Sequence, residues 1–149
     1  MRGISAILLD GDKLRDVFFS PSMSEHQKFD TSERENLGLF YGRLAKLTAE
    51  QGFWVLVSTI SMRKSVFDWN RDNLPNYYEI LIDLPLKILQ ARDPKKIYAD
   101  FKSGRRDNVI GLDIEAERPR HPELVFNESN LQSPEQMAEL ALRCIDYRL

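Results

Sequence analysis

Two kinds of hydrophobic pattern alternate along the chain. Short, nearly continuous apolar runs predict buried β-strands at 6–9, 53–60, 77–83 and 123–126. Between them, apolar residues recur at helical spacing and predict helices at 32–51, 63–72, 86–92, 94–102 and 134–145. Because strands and helices alternate without hairpin signals, we predict an α/β fold with a parallel sheet and right-handed crossovers.

Capping signals mark the starts of two of these helices. Ser32 with Glu35, and Ser133 with Gln136, match the pattern of a capping box. Pro85 is expected in the first turn of the helix at 86–92, where a missing backbone N–H is tolerated. The stretch at 20–29 is rich in Ser, Pro and Met and is predicted to be a connecting loop.

Composition narrows the class of protein. A chain of 149 residues with 42% hydrophobic content predicts one domain over 1–149. A net charge of -2 argues against nucleic-acid binding by bulk electrostatics.

The one cysteine, Cys144, excludes an internal disulfide and falls on the apolar face of the last helix. No apolar run is long enough for a membrane span and no signal-peptide pattern is present, so we expect a cytoplasmic protein with no membrane partner.

The first predicted strand stops abruptly at Asp10-Gly11-Asp12. Ligands of parallel α/β sheets bind beyond the carboxyl ends of the strands, which is where both carboxylates are expected. Asp10 and Asp12 would there hold Mg²⁺, directly or through water, or accept a proton from a hydroxyl group, with Gly11 allowing a tight turn. The alternative is a plain strand-to-helix turn with Asp12 as the helix cap.

The stretch at 103–122 has little periodicity, dense charge and several glycine or proline breaks. Long loops of this kind in compact domains are usually functional or mobile. We therefore predict that 103–122 is a lid.

Seven short motifs follow one another in an order and spacing that resemble a known family. They are Leu-Asp-Gly-Asp-x-Leu-Arg at 9–15, Phe29 with Arg34, Val-Leu-Val-Ser-x-Ile-Ser at 55–61, Asp-x-Pro-Leu at 83–86, Arg-Asp-Pro-Lys-x-x-Tyr at 92–98, Gly-x-Asp at 111–113 and Pro-Glu-Leu-Val at 122–125. Together they resemble the adenylylsulfate (APS) kinases, the small-molecule kinases of sulfate activation. The resemblance covers roughly residues 5–126.

This resemblance implies an ATP- and Mg²⁺-dependent P-loop kinase fold that transfers a phosphoryl group to a ribose hydroxyl of a nucleotide-activated small molecule. Asp10 and Asp12 match the acids that assist Mg²⁺ and substrate activation. The positions that match substrate-binding residues are Arg15, Phe29, Arg34, Ile60 and Ser61. Arginines suit this task because their planar group pairs with two phosphate oxygens.

Basic residues in the second half are candidates for binding ATP. Arg92 and Lys95 lie in a motif of the family, and more basic residues follow in the predicted lid. The alternative for this cluster is a solvated helix face.

The chain departs from the family pattern in three motifs. The Ser-Pro-aromatic-Arg turn reads Ser-Met-Arg-Lys at 61–64, an asparagine is replaced by Leu37, and Phe-Thr-Gly of the lid reads Val109-Ile110-Gly111. Val109 cannot stack on a base as an aromatic ring does. The turns and the aliphatic lid are similar to those of capsule-associated kinases that act on cytidine diphosphoramidate, which makes that substrate the alternative.

The largest departure is that no Gly-x-x-x-x-Gly-Lys-[Ser/Thr] motif occurs in the chain. In the family this phosphate loop follows a first, central strand that precedes the equivalent of Leu8. We therefore expect a fold that lacks the first strand and the phosphate loop, truncated at the amino terminus relative to the family. The alternative is a non-catalytic nucleotide-binding or regulatory module, and a homodimer is left open.

Overall fold

The structure is a computed structural model that describes residues 5–146, with the side chains at 25, 26 and 146 excepted. The strands are β1 Ala6–Asp10, β2 Trp54–Ser58, β3 Ile80–Ile82 and β4 Leu124–Phe126. The helices are α1 Gly11–Phe18, α2 Glu25–Phe29, α3 Thr31–Ala49, α4 Lys64–Asn73, α5 Leu86–Arg92, α6 Ile97–Lys102 and α7 Pro134–Asp146. This order confirms the predicted alternation of strands and helices.

The described residues form two compact units, each built from two stretches of chain. The first unit combines residues 5–75 with 107–118, and the second combines 76–106 with 119–146. The single domain expected over 1–149 and the lid at 103–122 stay predictions.

The first unit is built on a parallel pair of strands. β1 and β2 run in register from Ala6 opposite Trp54 to Asp10 opposite Ser58. The carboxyl ends of both strands, and the polar residues that follow them, therefore meet at the same edge of the sheet.

Aromatic and aliphatic side chains from α1, from the stretch that follows it and from α3 form a core cluster in the first unit. Phe19, Leu37 and Tyr41 are at most 5% exposed, and four partly buried side chains pack against them: Leu14, Phe18, Met23 and Phe40. The rings of Phe18 and Phe19 meet edge to face at 4.8 Å between centroids. This core lies directly behind the junction between β1 and α1.

Two glycines let α4 pack closely on α3. A Cβ at Gly38 would lie 2.7 Å from a methyl group of Val66. A Cβ at Gly42 would lie 2.8 Å from the Trp69 ring and in contact with the Asn70 side-chain oxygen. A larger residue at either position would therefore push the helices apart.

The strands of the first unit also carry exposed apolar side chains. Leu8 is 63% exposed and Leu56, its partner in register, is 54% exposed. Parallel sheets are normally covered on both faces, so this two-stranded sheet has an uncovered apolar face.

The second unit also contains a parallel pair of strands, with β3 and β4 aligned from Ile80 opposite Leu124 to Ile82 opposite Phe126. The pairing continues in a hydrogen bond from the Asp83 amide to the Phe126 carbonyl at 2.7 Å. α7 packs against β4. Parallel pairing in both units confirms the predicted parallel strands.

Helix starts differ from the sequence prediction at three places. α3 is capped by Asp30, whose carboxylate accepts from the amides of Ser32 and Glu33, so the predicted cap at Ser32 is wrong. The predicted loop at 20–29 contains α2, which begins with a capping box of Ser24 and Gln27. Pro85 precedes α5 as its N-cap residue.

The capping box at the last helix is confirmed. The Ser133 hydroxyl accepts from the Gln136 amide, and the Gln136 side chain accepts from the Ser133 amide. Cys144 is half-buried on this helix, as expected for a packing position. Within residues 5–146, none of the helices has the length and apolar character needed to cross a membrane.

Candidate functional site

The junction between β1 and α1 places two carboxylates at the end of the sheet. Asp10 is the N-cap of α1, and its Oδ1 accepts from the amides of Asp12 and Lys13 at 3.0 and 3.1 Å. The helix cap is therefore Asp10, and the alternative that placed the cap at Asp12 is wrong. Asp12 lies exposed in the first turn.

Gly11 is needed for close packing, although we expected it to provide a tight turn. It is the first residue of α1 and does not have a positive φ. A Cβ at this position would lie 2.8 Å from the carbonyl oxygen of Ser58 and 3.3 Å from the hydroxyl of Thr59. Only glycine allows the end of β2 to approach this junction so closely.

Tyr41 contacts the same junction from α3, a role that no motif in the sequence indicates. Its buried hydroxyl donates a hydrogen bond of 2.6 Å to the carbonyl of Gly11. Burial raises the pKa of Tyr41 to about 12, against a smaller opposing effect of the Arg15 charge. The hydroxyl therefore stays protonated and remains a donor at neutral pH.

Arg15 and Phe29 meet beside this junction. The guanidinium carbon of Arg15 lies 4.2 Å from the centroid of the Phe29 ring, and Arg15 also donates to the carbonyl of Lys28 at 2.8 Å. A cation over an aromatic ring is attracted by the ring's quadrupole. The ring of Phe29 is thus held in place by a positive group.

Arg34 joins Phe29 to a segment far along the chain. Its Nε donates to the carbonyl of Phe29 at 2.8 Å, and one terminal nitrogen donates to the carbonyl of Asn108 at 2.6 Å. Arg34 is only 6% exposed, and its guanidinium carbon lies 5.2 Å from the centre of the Phe29 ring. The buried guanidinium therefore fixes the distance between these two stretches of backbone.

The segment 107–118 is shaped by Asp113. Its two carboxylate oxygens accept from the amides of Asn108 and Val109 at 2.8 and 2.6 Å. Val109 is 6% exposed, so its side chain faces inward in the structure. Asn108 has a φ of 56°, a conformation that asparagine tolerates better than most residues.

Ile60 and Ser61 follow the end of β2, which stops at Ser58. Ile60 is 58% exposed, whereas Ser61 is 7% exposed and its hydroxyl lies 3.1 Å from that of Thr59. The first unit therefore contains all of the predicted catalytic and substrate-binding residues.

Arg92 and Lys95 belong to the second unit and are exposed. Between them, Asp93 accepts from the amides of Tyr98 and Ala99 at 3.3 and 3.0 Å and so caps α6. The proposed role of Arg92 and Lys95 in binding ATP stays a prediction.

Comparison with known proteins decides the family. The family model described as adenylylsulphate kinase matches residues 1–127. The chain belongs to the adenylylsulfate kinase family.

Curated members of the family include relatives with two different substrates in their names. A cytidine diphosphoramidate kinase of Campylobacter jejuni is 37% identical over 92% of this chain and 76% of its own length. An adenylyl-sulfate kinase of Yersinia pestis is 32% identical over 97% of this chain and 64% of its own length. The chain thus spans about two thirds to three quarters of the length of these relatives.

A solved structure of the adenylylsulfate kinase of Mycobacterium tuberculosis, in complex with AMPPNP and APS, is also similar. The TM-score is 0.81 at 28% identity, over 97% of this chain and 82% of the other. The predicted P-loop kinase-like fold is thereby confirmed.

Membership of the adenylylsulfate kinase family implies the use of ATP and Mg²⁺. The residues of this chain suit Mg²⁺ better than they suit ATP. Two neighbouring carboxylates at Asp10 and Asp12 suit Mg²⁺, which keeps several waters and is usually held by one or two carboxylates together with phosphates. No group of three or more His, Cys, Asp or Glu in the described part of the chain could hold a metal ion without such help. The glycine-rich cradle that binds a triphosphate is absent from the sequence, so these residues alone do not fit ATP.

Proposed function

We propose that this chain carries the acceptor site of an ATP-dependent, adenylylsulfate kinase-like phosphotransferase, which phosphorylates a ribose hydroxyl of a nucleotide-activated small molecule. The observation that carries the proposal is the grouping of Arg15, Phe29 and Arg34 in the same unit as the Asp10-Gly11-Asp12 junction. An aromatic ring with two arginines beside it suits a base attached to phosphate groups.

Each of these residues receives a distinct task in the proposal. Phe29 provides the ring on which the base stacks, a contact that contributes about 1–3 kcal/mol. Arg15, whose guanidinium lies over the face of that ring, supplies positive charge for the substrate's phosphate groups. Arg34 is buried and donates hydrogen bonds to two backbone carbonyls, so its proposed task is to hold Phe29 and Asn108 in place.

Asp12 is the proposed general base. Its position in the first turn of α1, close to the capping residue Asp10, places an exposed carboxylate at the carboxyl edge of the sheet. In the proposed step the ribose hydroxyl oxygen forms a bond to the γ-phosphorus of ATP, the bond from that phosphorus to an oxygen of ADP breaks and ADP leaves, and the hydroxyl proton passes to a carboxylate oxygen of Asp12. Mg²⁺ would be held by Asp10, with Asp12 contacting it through water, and would neutralise phosphate charge.

Substrate binding is tested by calorimetry with adenylyl sulfate on the full chain. We expect Phe29→Leu to weaken binding about tenfold because it removes a stacking ring. Phe53→Leu is the matched control, since Phe53 is 38% exposed and precedes β2. Equal affinities of the parent and the Phe29 variant would contradict the assignment of the ring.

Catalysis is tested by following ADP release from the chain extended at its amino terminus by a strand and a phosphate loop, because the residues present do not fit ATP by themselves. We expect Asp12→Asn to lower the rate by about 100-fold or more if Asp12 is the base. Asp16→Asn, an exposed position on the same helix, should leave the rate unchanged. Unchanged turnover in the Asp12 variant would remove its role, and nucleotide binding without any ADP release would favour the non-catalytic binding module.

A second candidate substrate is cytidine diphosphoramidate. Two observations favour it: the 37% identity to the Campylobacter enzyme of that name, and the aliphatic Val109 in place of a second stacking ring. Calorimetry with CDP and ADP separates the candidates, because a site built for cytidine should bind CDP more tightly. Tighter binding of ADP would leave adenylyl sulfate as the better candidate.

We also propose a cytoplasmic location, a role of Arg92 and Lys95 in binding ATP, and a lid formed by residues 103–122. None of them changes the test of the acceptor site.

A further inference from the structure

Glu117, near the end of the segment 107–118, contacts three consecutive residues of a distant turn. Its amide donates to the Met62 carbonyl at 3.2 Å. Its Oε2 accepts from the Lys64 amide at 2.6 Å, and its Oε1 forms an ion pair with Arg63 at 3.4 Å. A single residue therefore engages the whole turn from Met62 to Lys64.

The start of α4 lacks a cap of its own. Arg63, its N-cap residue, makes no capping hydrogen bond with its side chain, and the first turn contains no acidic residue. The amides at a helix N-terminus need acceptors and favour negative charge. The carboxylate of Glu117, 53 positions after Lys64 in the sequence, supplies the acceptor and the negative charge.

Arg63 also depends on this contact. Its side chain is 18% exposed, and its Nε is buried without a hydrogen-bond partner. A buried guanidinium is costly unless its charge is compensated, and the Glu117 carboxylate provides that compensation.

The turn and the segment both border the proposed nucleotide site. Met62 follows Ser61 directly and has a φ of 48°, a strained conformation for a residue with a side chain. The other end of the segment is held by the hydrogen bond from Arg34 to Asn108. Val109 lies between the two attachments, one at Arg34 and the other at Glu117.

We propose that Glu117 is a positioning residue that locks the segment 107–118 onto the Met62–Lys64 turn and thereby fixes Val109 relative to Phe29. The inference rests on the proposed function for its effect on nucleotide binding. Its structural part, the locking of the segment, is measurable without any nucleotide.

Hydrogen exchange on the full chain tests the locking. In Glu117→Ala we expect the amides of both Lys64 and Val109 to exchange at least about tenfold faster, because a charge-assisted hydrogen bond is lost and the segment is released. Glu117→Gln keeps an oxygen that accepts from Lys64 and should restore most of the protection. Glu115→Gln, an exposed position on the same segment, should behave like the parent.

Calorimetry with CDP and adenylyl sulfate tests the consequence. We expect about tenfold weaker binding in Glu117→Ala and substantial recovery in Glu117→Gln. Unchanged exchange at Val109 in Glu117→Ala would overturn the proposal even if Lys64 were released, because Glu117 would then be a helix cap and no more. If the parent bound neither nucleotide, the proposed function would fail, while the exchange rates would still decide whether Glu117 locks the segment.

Discussion

A single buried hydroxyl connects the core of the first unit to the proposed catalytic carboxylates. Tyr41 is 2% exposed and donates to the carbonyl of Gly11, the residue between Asp10 and Asp12. A buried carbonyl that loses its donor costs free energy because no water can replace the bond. The geometry of the Asp10-Gly11-Asp12 junction therefore depends on a residue of α3.

Replacing Tyr41 by Phe removes this hydrogen bond while keeping the ring. We expect the free energy of unfolding to fall by about 1–2 kcal/mol, measured by denaturant unfolding. Tyr98→Phe, at a partly buried position of the second unit, is a comparison that leaves the junction intact. A fully stable Tyr41→Phe protein would show that the Gly11 carbonyl does not need this donor.

The same pair of proteins predicts a pH dependence. The folded protein holds the Tyr41 proton up to about pH 12, whereas the unfolded chain releases it near the ordinary value of 10.0. The stabilising contribution is therefore complete below pH 10 and is lost as the pH rises toward 12. The stability difference between the parent and Tyr41→Phe should shrink over that window.

Motif spacing is visible along the chain, so the sequence could suggest Asp10, Arg15, Phe29 and Arg34 as site residues, and their roles stay predictions. It could not show the contacts that Tyr41 and Arg34 make within the fold. Both residues act through hydrogen bonds to backbone carbonyls, of Gly11 and Asn108, which lie 30 and 74 positions away. The acceptor in such a bond is a backbone carbonyl. Every residue has one, so the sequence does not show which carbonyl a side chain will contact.

Among the helices, local signals decide where most of them begin. Asp10, Ser24, Asp30 and Ser133 each accept hydrogen bonds from amides two or three residues ahead, which is a pattern that a sequence can show. For α3 the sequence predicted a cap at Ser32 and the cap is Asp30, two residues earlier; both residue types cap well, so residue type alone does not distinguish them. α6 differs, since its N-cap residue Lys96 has a left-handed conformation and makes no capping hydrogen bond, and the carboxylate of Asp93 caps the helix instead.

Lys96→Gly should stabilise the protein. The φ of Lys96 is 55°, which costs a residue with a Cβ about 1–2 kcal/mol, whereas glycine adopts it freely. After subtraction of the larger backbone entropy of glycine in the unfolded chain, we expect a gain of about 0.5–1 kcal/mol in thermal or denaturant unfolding.

Gly104 provides the reverse experiment in the same unit. Its φ is 71° and no atom lies within 4 Å of the position that a Cβ would take, so Gly104→Ala tests backbone strain alone. We expect a loss of about 0.5–1 kcal/mol. If both changes had the same sign, backbone conformation would not explain either effect.

For the molecule as a whole, the alternation of elements predicted an α/β fold with parallel strands, and that much was readable from periodicity. The lengths of the strands could not be read from periodicity: a strand was predicted at 77–83, and the observed strand β3 is only Ile80–Ile82. Apolar runs continue past the last ladder hydrogen bond, as Ile60 does beyond β2. Burial is set by what packs on a strand, and the pairs Leu8–Leu56 and Ile80–Leu124 include residues that remain more than 40% exposed.

The uncovered apolar face of β1 and β2 predicts self-association of the full chain. We expect Leu56→Glu to reduce concentration-dependent association in sedimentation experiments, because a charge on an exposed strand opposes contact between apolar faces. The substitution should cost less than about 1 kcal/mol of stability, since Leu56 is 54% exposed.

Val17→Glu is the matched control for this experiment. Val17 is 76% exposed on α1, away from the strand pair Leu8–Leu56. If both substitutions reduced association equally, net charge and not the strand face would be responsible.

The reach of Glu117 to Lys64 sets an order of events during synthesis. A ribosome releases the chain from the amino terminus, so α4 emerges well before the carboxylate that completes its first turn. The intervening stretch includes 76–106, which belongs to the other unit. The first unit therefore cannot complete its contacts at the start of α4 until residues 76–106 of the second unit have been synthesised. During that interval the nascent first unit is accessible to proteases and chaperones.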